Sequence, residues 1–97
     1  MANVIFHPDA LAEYRAALVW YARRSRRAAL GLERAVSHVL SKAASSPEFY
    51  PLYDDAHREA ILTRYPYSVV YRLRANGDVL VTAVAHASRE PGYWQGR

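Results

Sequence analysis

Arg64-Tyr65-Pro66-Tyr67-Ser68-Val69-Val70-Tyr71-Arg72 enters on an arginine, turns at a proline held between two tyrosines, and then alternates. The alternation is that of a β-strand. On such a strand Tyr67, Val69, Tyr71 and Leu73 share one face, and Ser68, Val70, Arg72 and Arg74 share the other. The first face suits packing. The second sets guanidinium groups beside a small hydroxyl, the equipment of a surface that meets an anion.

Downstream, Asn76-Gly77-Asp78 is a strong hairpin signal, followed by an apolar run from Val79 to His86. Two strands joined this tightly are antiparallel neighbours. Upstream, a third strand is expected over about Arg58 to Arg64, linked by the tight Pro66 connection, so the second half of the chain reads as a three-stranded antiparallel meander. Pro47 to Asp55, with two prolines, three aromatic residues and two aspartates, is a connector.

The first half is helical. Pro8-Asp9 opens a helix, with proline tolerated in the first turn and an acid favourable there. Leu11, Tyr14, Leu18 and Tyr21 follow at helical spacing and gather Ala10, Ala17 and Ala22 into a core-facing stripe. Arg23-Arg24-Ser25-Arg26-Arg27 breaks the pattern, and Ser25 either closes this helix or caps a second from about Arg26. The second helix carries Leu32, Val36, Val39, Leu40 and Ala43 on one side and ends before Pro47. Asn3 to Phe6 reads as a first strand. The layout is therefore α+β, a single domain over residues 1–97: an N-terminal strand, a two-helix hairpin, and a meander in one mostly antiparallel sheet packed on the helices.

Composition narrows the function. Hydrophobic residues at 52% and charged residues at 23% are those of a folding domain, and 97 residues leave room for one. Cysteine is absent, which removes disulfides and thiolate chemistry, and the start of the chain lacks the basic and long apolar regions of a signal peptide; a cytoplasmic protein is expected. The longest apolar run, Ala16 to Ala22, is too short to cross a bilayer, so no membrane partner is expected. Net charge is +4, and of 13 basic residues only Lys42 is a lysine. Arginine suits bidentate contact with carboxylate or phosphate, which brings forward nucleic acid or an acidic protein. The Arg23 to Arg27 cluster reads as a solvated corner or as an anion-binding patch.

The last strand alternates Val79, Val81, Ala83 and Ala85 against the more polar set Leu80, Thr82, Val84 and His86. If that set shares the outer face with Ser68, Arg72 and Arg74, His86 stands at one end of an exposed sheet surface beside Ser88-Arg89-Glu90-Pro91-Gly92-Tyr93-Trp94. Histidine shuttles protons, arginine steadies a phosphate gaining charge, and tyrosine or tryptophan stacks on a base: the parts of a metal-free ribonuclease, and also ordinary strand-end and core-edge residues. His7, His38, His57 and His86 lack zinc spacing, the glycines form no phosphate loop and the serines no nucleophile elbow, so neither metal nor cofactor is expected.

His7-Pro8 before an alanine-rich helix, Ser46-Pro47-Glu48 and Tyr50-Pro51, Arg64 to Arg72, and Val84-Ala85-His86 followed by Arg89 to Trp94 and Arg97 together resemble the toxins of the RelE/ParE superfamily from bacterial type II toxin-antitoxin modules. The resemblance spans nearly the whole chain. It implies a growth-inhibiting, plasmid-stabilising toxin silenced by a cognate antitoxin, in a hetero-oligomer with it. RelE-like members cut messenger RNA on the ribosome without a metal; ParE-like members block DNA gyrase. As a ribonuclease this chain would use His86, Arg89, Tyr93 and Arg72; as a binding toxin it would meet target or antitoxin through Arg64, Arg72, Arg74, Arg89, Trp94 and Arg97. Where RelE-like enzymes usually carry arginine, this chain has Ser68 and Ala87, and loss of such a donor typically costs about 10²–10³ in rate. The ParE-like reading is therefore preferred, with the ribonuclease second and a weak or inactive toxin-like interaction domain third.

Overall fold

The computed structural model describes residues 2–97. Its elements are β1 (Val4–Phe6), α1 (Pro8–Ala22), α2 (Arg26–Ser45), β2 (His57–Ile61), β3 (Tyr67–Leu73) and β4 (Val79–His86). The expected strand, helical hairpin and meander are all present. The sheet has four strands in the order β1-β4-β3-β2. β2, β3 and β4 are antiparallel, whereas β1 joins parallel to β4, with Val4 opposite Val79 and Phe6 opposite Val81.

Local chemistry sets the element ends. Pro8 stands at the start of α1, and the His7 ring accepts the Asp9 N–H at 3.1 Å. Ser25 caps α2, its hydroxyl accepting the Ala28 N–H at 3.1 Å, so the arginine cluster is the corner between the helices. β2 stops at Ile61 rather than Arg64, because the chain must bend through Thr63 to Pro66 to return as β3; Leu62 N–H reaches Tyr67 O at 3.0 Å across that bend. Arg64 therefore lies on the turn.

Both helices cover one face of the sheet. Ala10 and Ala17 of α1 and Leu32, Val36 and Val39 of α2 are buried with Ala60, Leu62, Val69, Val81 and Val84; Tyr14, Leu18 and Tyr21 pack around them, while Ala22 is exposed at the helix end. Small residues on α1 bring its backbone close to β4.

The alternation expected for β4 fails at one point, and the failure reorganises the site. Val70 is opposite Ala83 but Tyr71 is opposite Val81, so Thr82 is an extra residue on β4, a β-bulge. It is fully buried, and its hydroxyl donates to Val70 O at 3.3 Å. One extra residue swaps the faces. Val79 and Val81 face the helices before the bulge; Val84 and His86 face them after it, and Ala83 and Ala85 turn to the reverse side. His86 therefore shares a face with Tyr67, not with Ser68, Arg72 and Arg74. The reverse side is not open either, because Trp94 lies buried against Val70, Ala83 and Ala85.

Candidate functional site

β1 runs only from Val4 to Phe6, so beyond Val81 the outer edge of β4 has no neighbouring strand. Side chains take over its hydrogen bonds. Glu13, between Ala10 and Ala17 on the inward side of α1, accepts the Val84 N–H on Oε1 at 3.1 Å. Its Oε2 accepts the Tyr93 hydroxyl at 2.9 Å and the Arg97 guanidinium at 3.0 Å. The same guanidinium donates to Thr82 O at 3.0 Å and lies 3.8 Å from the Asp9 carboxylate. One carboxylate thus ties α1, β4 and the C-terminal segment together.

Tyr93 sits within this knot with the Arg89 guanidinium 3.9 Å and the Arg97 guanidinium 5.2 Å from its ring centre. Burial foremost, then the hydrogen bond to Glu13 and the negative charge behind it, push the phenol up to about 12, against the pull of the two arginines. It remains a phenol at any neutral pH. His86 is edge-on to Tyr67 at 5.0 Å. Its Nδ1 accepts the Ser88 N–H at 3.0 Å and stands 2.8 Å from the Ser88 hydroxyl, which leaves Nε2 to carry the proton of the neutral ring.

Between α1 and this end of the sheet opens a cleft of about 430 Å³, lined by Glu13, Trp20, Tyr21, Tyr67, His86 and Arg89 among others. Aromatic walls with an arginine at the rim are the composition of a protein-binding hot spot. Sequence reasoning missed Glu13 and Trp20. The signal for Glu13 was present: an acid three residues after Ala10 and four before Ala17 stands on a stripe that is otherwise apolar.

The other residues singled out in the sequence lie apart. Arg72 is on the reverse face, opposite Leu80 and His57, with Nε donating to Arg97 O at 3.2 Å. Five residues of strand separate it from Tyr67, the partner of His86, or roughly 17 Å. Arg64 is exposed on the β2–β3 turn and Arg74 on the β3–β4 turn, beyond opposite ends of β3. Arg97 is spent on Glu13 and Asp9. Trp94, 2% exposed, packs edge-on against Tyr53 at 4.8 Å and His57 at 4.7 Å and offers no surface to a partner. Of the set proposed for cleavage, His86, Arg89 and Tyr93 come together; of the set proposed for binding, Arg97 joins Arg89 at the Tyr93 ring.

A second clasp holds the reverse side. Asp54 accepts a side-chain bond from Gln95 at 3.0 Å, the N–H groups of Ala56 and His57, and the His57 ring, and these bonds, led by Gln95, hold its carboxyl well below the usual carboxylate range. His57 is buried under Trp94. Among the described residues no group of three or more histidine, aspartate or glutamate side chains is placed to hold a metal, and no helix is long and apolar enough to cross a membrane.

A helical hairpin on one face of a small sheet, with the C-terminal segment folded over the other, is the fold of the RelE/ParE superfamily. Residues 4–91 match the model of the ParE toxin of the type II toxin-antitoxin system parDE, and the chain belongs to that family. Its fold is similar to that in the chromosomal ParDE toxin-antitoxin system of P. aeruginosa, at 16% identity and a TM-score of 0.71 over 89% of this chain and 96% of that one. It is similar to the isolated E. coli RelE toxin at 19% identity and a TM-score of 0.62, over 99% and 95% of the two chains. A mutant of E. coli RelE in complex with a peptide of the antitoxin RelBc gives 18% identity and a TM-score of 0.59, over 99% and 94%. At these identities the likeness is one of fold. Among curated proteins none matches the sequence at a significant level.

Proposed function

We propose that this ParE-family toxin acts by binding rather than by cutting RNA, that its target is DNA gyrase, and that a cognate antitoxin holds it silent in a hetero-oligomer in the cytoplasm. The observation that carries the reading is that the cleavage set is incomplete: His86, Arg89 and Tyr93 converge, but Arg72 stands on the opposite face and the Tyr93 proton is committed to Glu13. General acid–base work needs its groups within hydrogen-bond reach of one reacting centre. Ser68 and Ala87 leave two further positions without a phosphate-stabilising donor. What the cleft retains is a recognition surface: Trp20, Tyr21 and Tyr67 as walls, Arg89 at the rim, and His86 with one ring nitrogen left to donate.

Purified toxin in micromolar excess is expected to inhibit supercoiling by DNA gyrase, and Arg89→Ala, at an exposed position, is expected to weaken that inhibition at least tenfold while leaving the fold intact. Unchanged supercoiling with the parent protein removes gyrase as the target. Cleavage of ribosome-bound messenger RNA in a toeprint assay restores the nuclease reading.

A further inference from the structure

We infer that the arginine corner joining α1 to α2 is a second binding surface, adjoining the α1–β4 cleft at Trp20, and that it takes the sugar-phosphate backbone of duplex DNA. Arg23, Arg24, Arg26 and Arg27 fall within five residues and are all exposed. On the α1 side of the corner a shallow depression of about 720 Å³ is lined by Arg15, Arg23 and Arg24 beside Val19 and Trp20. On the α2 side another, of about 840 Å³, is lined by Arg26, Arg27, Arg34 and Arg64. Neither lining contains a carboxylate.

The charge is not neutralised from within. Among the described residues Arg97 is the only arginine with a carboxylate within 4.0 Å, so every guanidinium of the corner lacks an internal counter-ion. Clustered like charges repel one another, and an external polyanion relieves that repulsion. Guanidinium forks match the paired oxygens of a phosphate. From Arg23 to Arg27 the only other residue is Ser25, itself used as the α2 cap, so contact here is to charge alone. Between Arg23 and Arg27 there is no apolar side chain, and the exposed Val19, Trp20 and Leu30 stand on the flanking helix turns, so the five-residue corner itself gives a folding acidic peptide no anchor.

Duplex is favoured over single strand by the state of Trp20. One face of its ring is overlaid by the Arg24 guanidinium at 3.7 Å and its edge is met by Tyr21 at 4.9 Å, so a base stacking on that face would have to displace the arginine. The preference for DNA over RNA rests on the gyrase reading, since that enzyme works on duplex DNA; the surface itself reads only phosphate.

The test is fluorescence anisotropy of the toxin with a short labelled DNA duplex, without gyrase, across about 50 to 200 mM salt. Four phosphate contacts predict a log–log slope near −3.6 and a loss of affinity on the order of a hundredfold across that range. Arg26→Gln with Arg27→Gln is expected to reduce the slope by about 2, whereas Lys42→Gln, in the last turn of α2 and roughly 24 Å along the helix from Arg26, leaves it unchanged. Circular dichroism checks that the variants remain folded. An unchanged slope in the double variant overturns the inference; so does competition by polyglutamate as effective, charge for charge, as DNA, which would make the partner an acidic protein. Duplex RNA binding ten times more tightly overturns the choice of DNA. Supercoiling is measured separately: intact DNA binding without gyrase inhibition counts against the target alone, and inhibition without DNA binding counts against this surface alone.

Discussion

Glu13→Ala tests whether one carboxylate fastens the C-terminal segment to the sheet. The change removes three bonds at 2.9–3.1 Å, to Tyr93, Arg97 and Val84. The Val84 N–H has no other acceptor in a residue 1% exposed, and an unsatisfied buried donor costs about 1–3 kcal/mol. Arg97 keeps Thr82 O and the longer approach to Asp9, so its loss is partial. Allowing for non-additivity, a cost of about 3 kcal/mol is expected, or a fall in Tm of roughly 12–20 °C for a chain of this size. Glu13→Gln separates charge from shape: the amide oxygen preserves the Val84 bond while the pairing with Arg97 is lost, at about 1 kcal/mol. The same variant carries a pH signature. Tyr93 is neutral when protonated and its folded-state pKa is raised from 10.0 to about 12, so the stability it contributes is complete below pH 10 and is lost as pH rises towards 12. Removing the Glu13 charge and strong acceptor lowers that folded-state value and narrows the window. Thermal melts at neutral and alkaline pH, with tyrosinate absorbance titration against a Tyr93→Phe reference, measure both effects. A Glu13→Ala melt within about 2 °C of the parent, or a Glu13→Gln titration superimposable on it, would refute the reasoning.

Two further outcomes follow from packing. Trp94→Ala leaves a void between Val70, Ala83, Ala85 and His57 and is expected to cost about 3–5 kcal/mol, with faster proteolysis of the C-terminal segment; an unaltered melt would mean that the indole is not part of the core. Gly31→Ala, in mid-helix, would ordinarily stabilise by about 1 kcal/mol. A Cβ there runs into the Tyr65 hydroxyl, which donates to Ala28 O at 2.7 Å, so no gain is expected in the parent and the full gain only in a Tyr65→Phe background; equal effects in both backgrounds would contradict the contact.

The residues that made the fold legible are those whose signals are local. Pro8 with Asp9, Ser25, Pro47 and Asn76-Gly77-Asp78 each mark a boundary that the structure keeps, because caps and turns depend on a few neighbouring bonds. The meander and the helical hairpin followed from them. The site was less legible because it depends on phase. Alternation carried past Thr82 assigns His86 to the wrong face, and nothing in the local sequence Val81-Thr82-Ala83-Val84 announces the bulge, since a buried threonine and two valines suit an ordinary strand equally well. That slip put His86 beside Arg72, and the docking of Trp94 over Val70, Ala83 and Ala85 removed the exposed sheet face itself. Trp94 and Arg97 were equally hard to assign, because a tail rich in glycine and proline carries no periodicity to say whether it docks, and their places are fixed by partners on β4 and α1 distant in sequence.

The parallel pairing of β1 with β4 also imposes an order of events. Val4 leaves the ribosome well before the strand beside it, which begins at Val79, and the carboxylate of Glu13 finds its donors only at Val84, Tyr93 and Arg97. Contacts this far apart close late, after the local hairpins are already in place. During translation, then, β1 waits for Val79 and the knot around Glu13 waits for Arg97: a growing toxin holds both unpaired while all the residues between them are made.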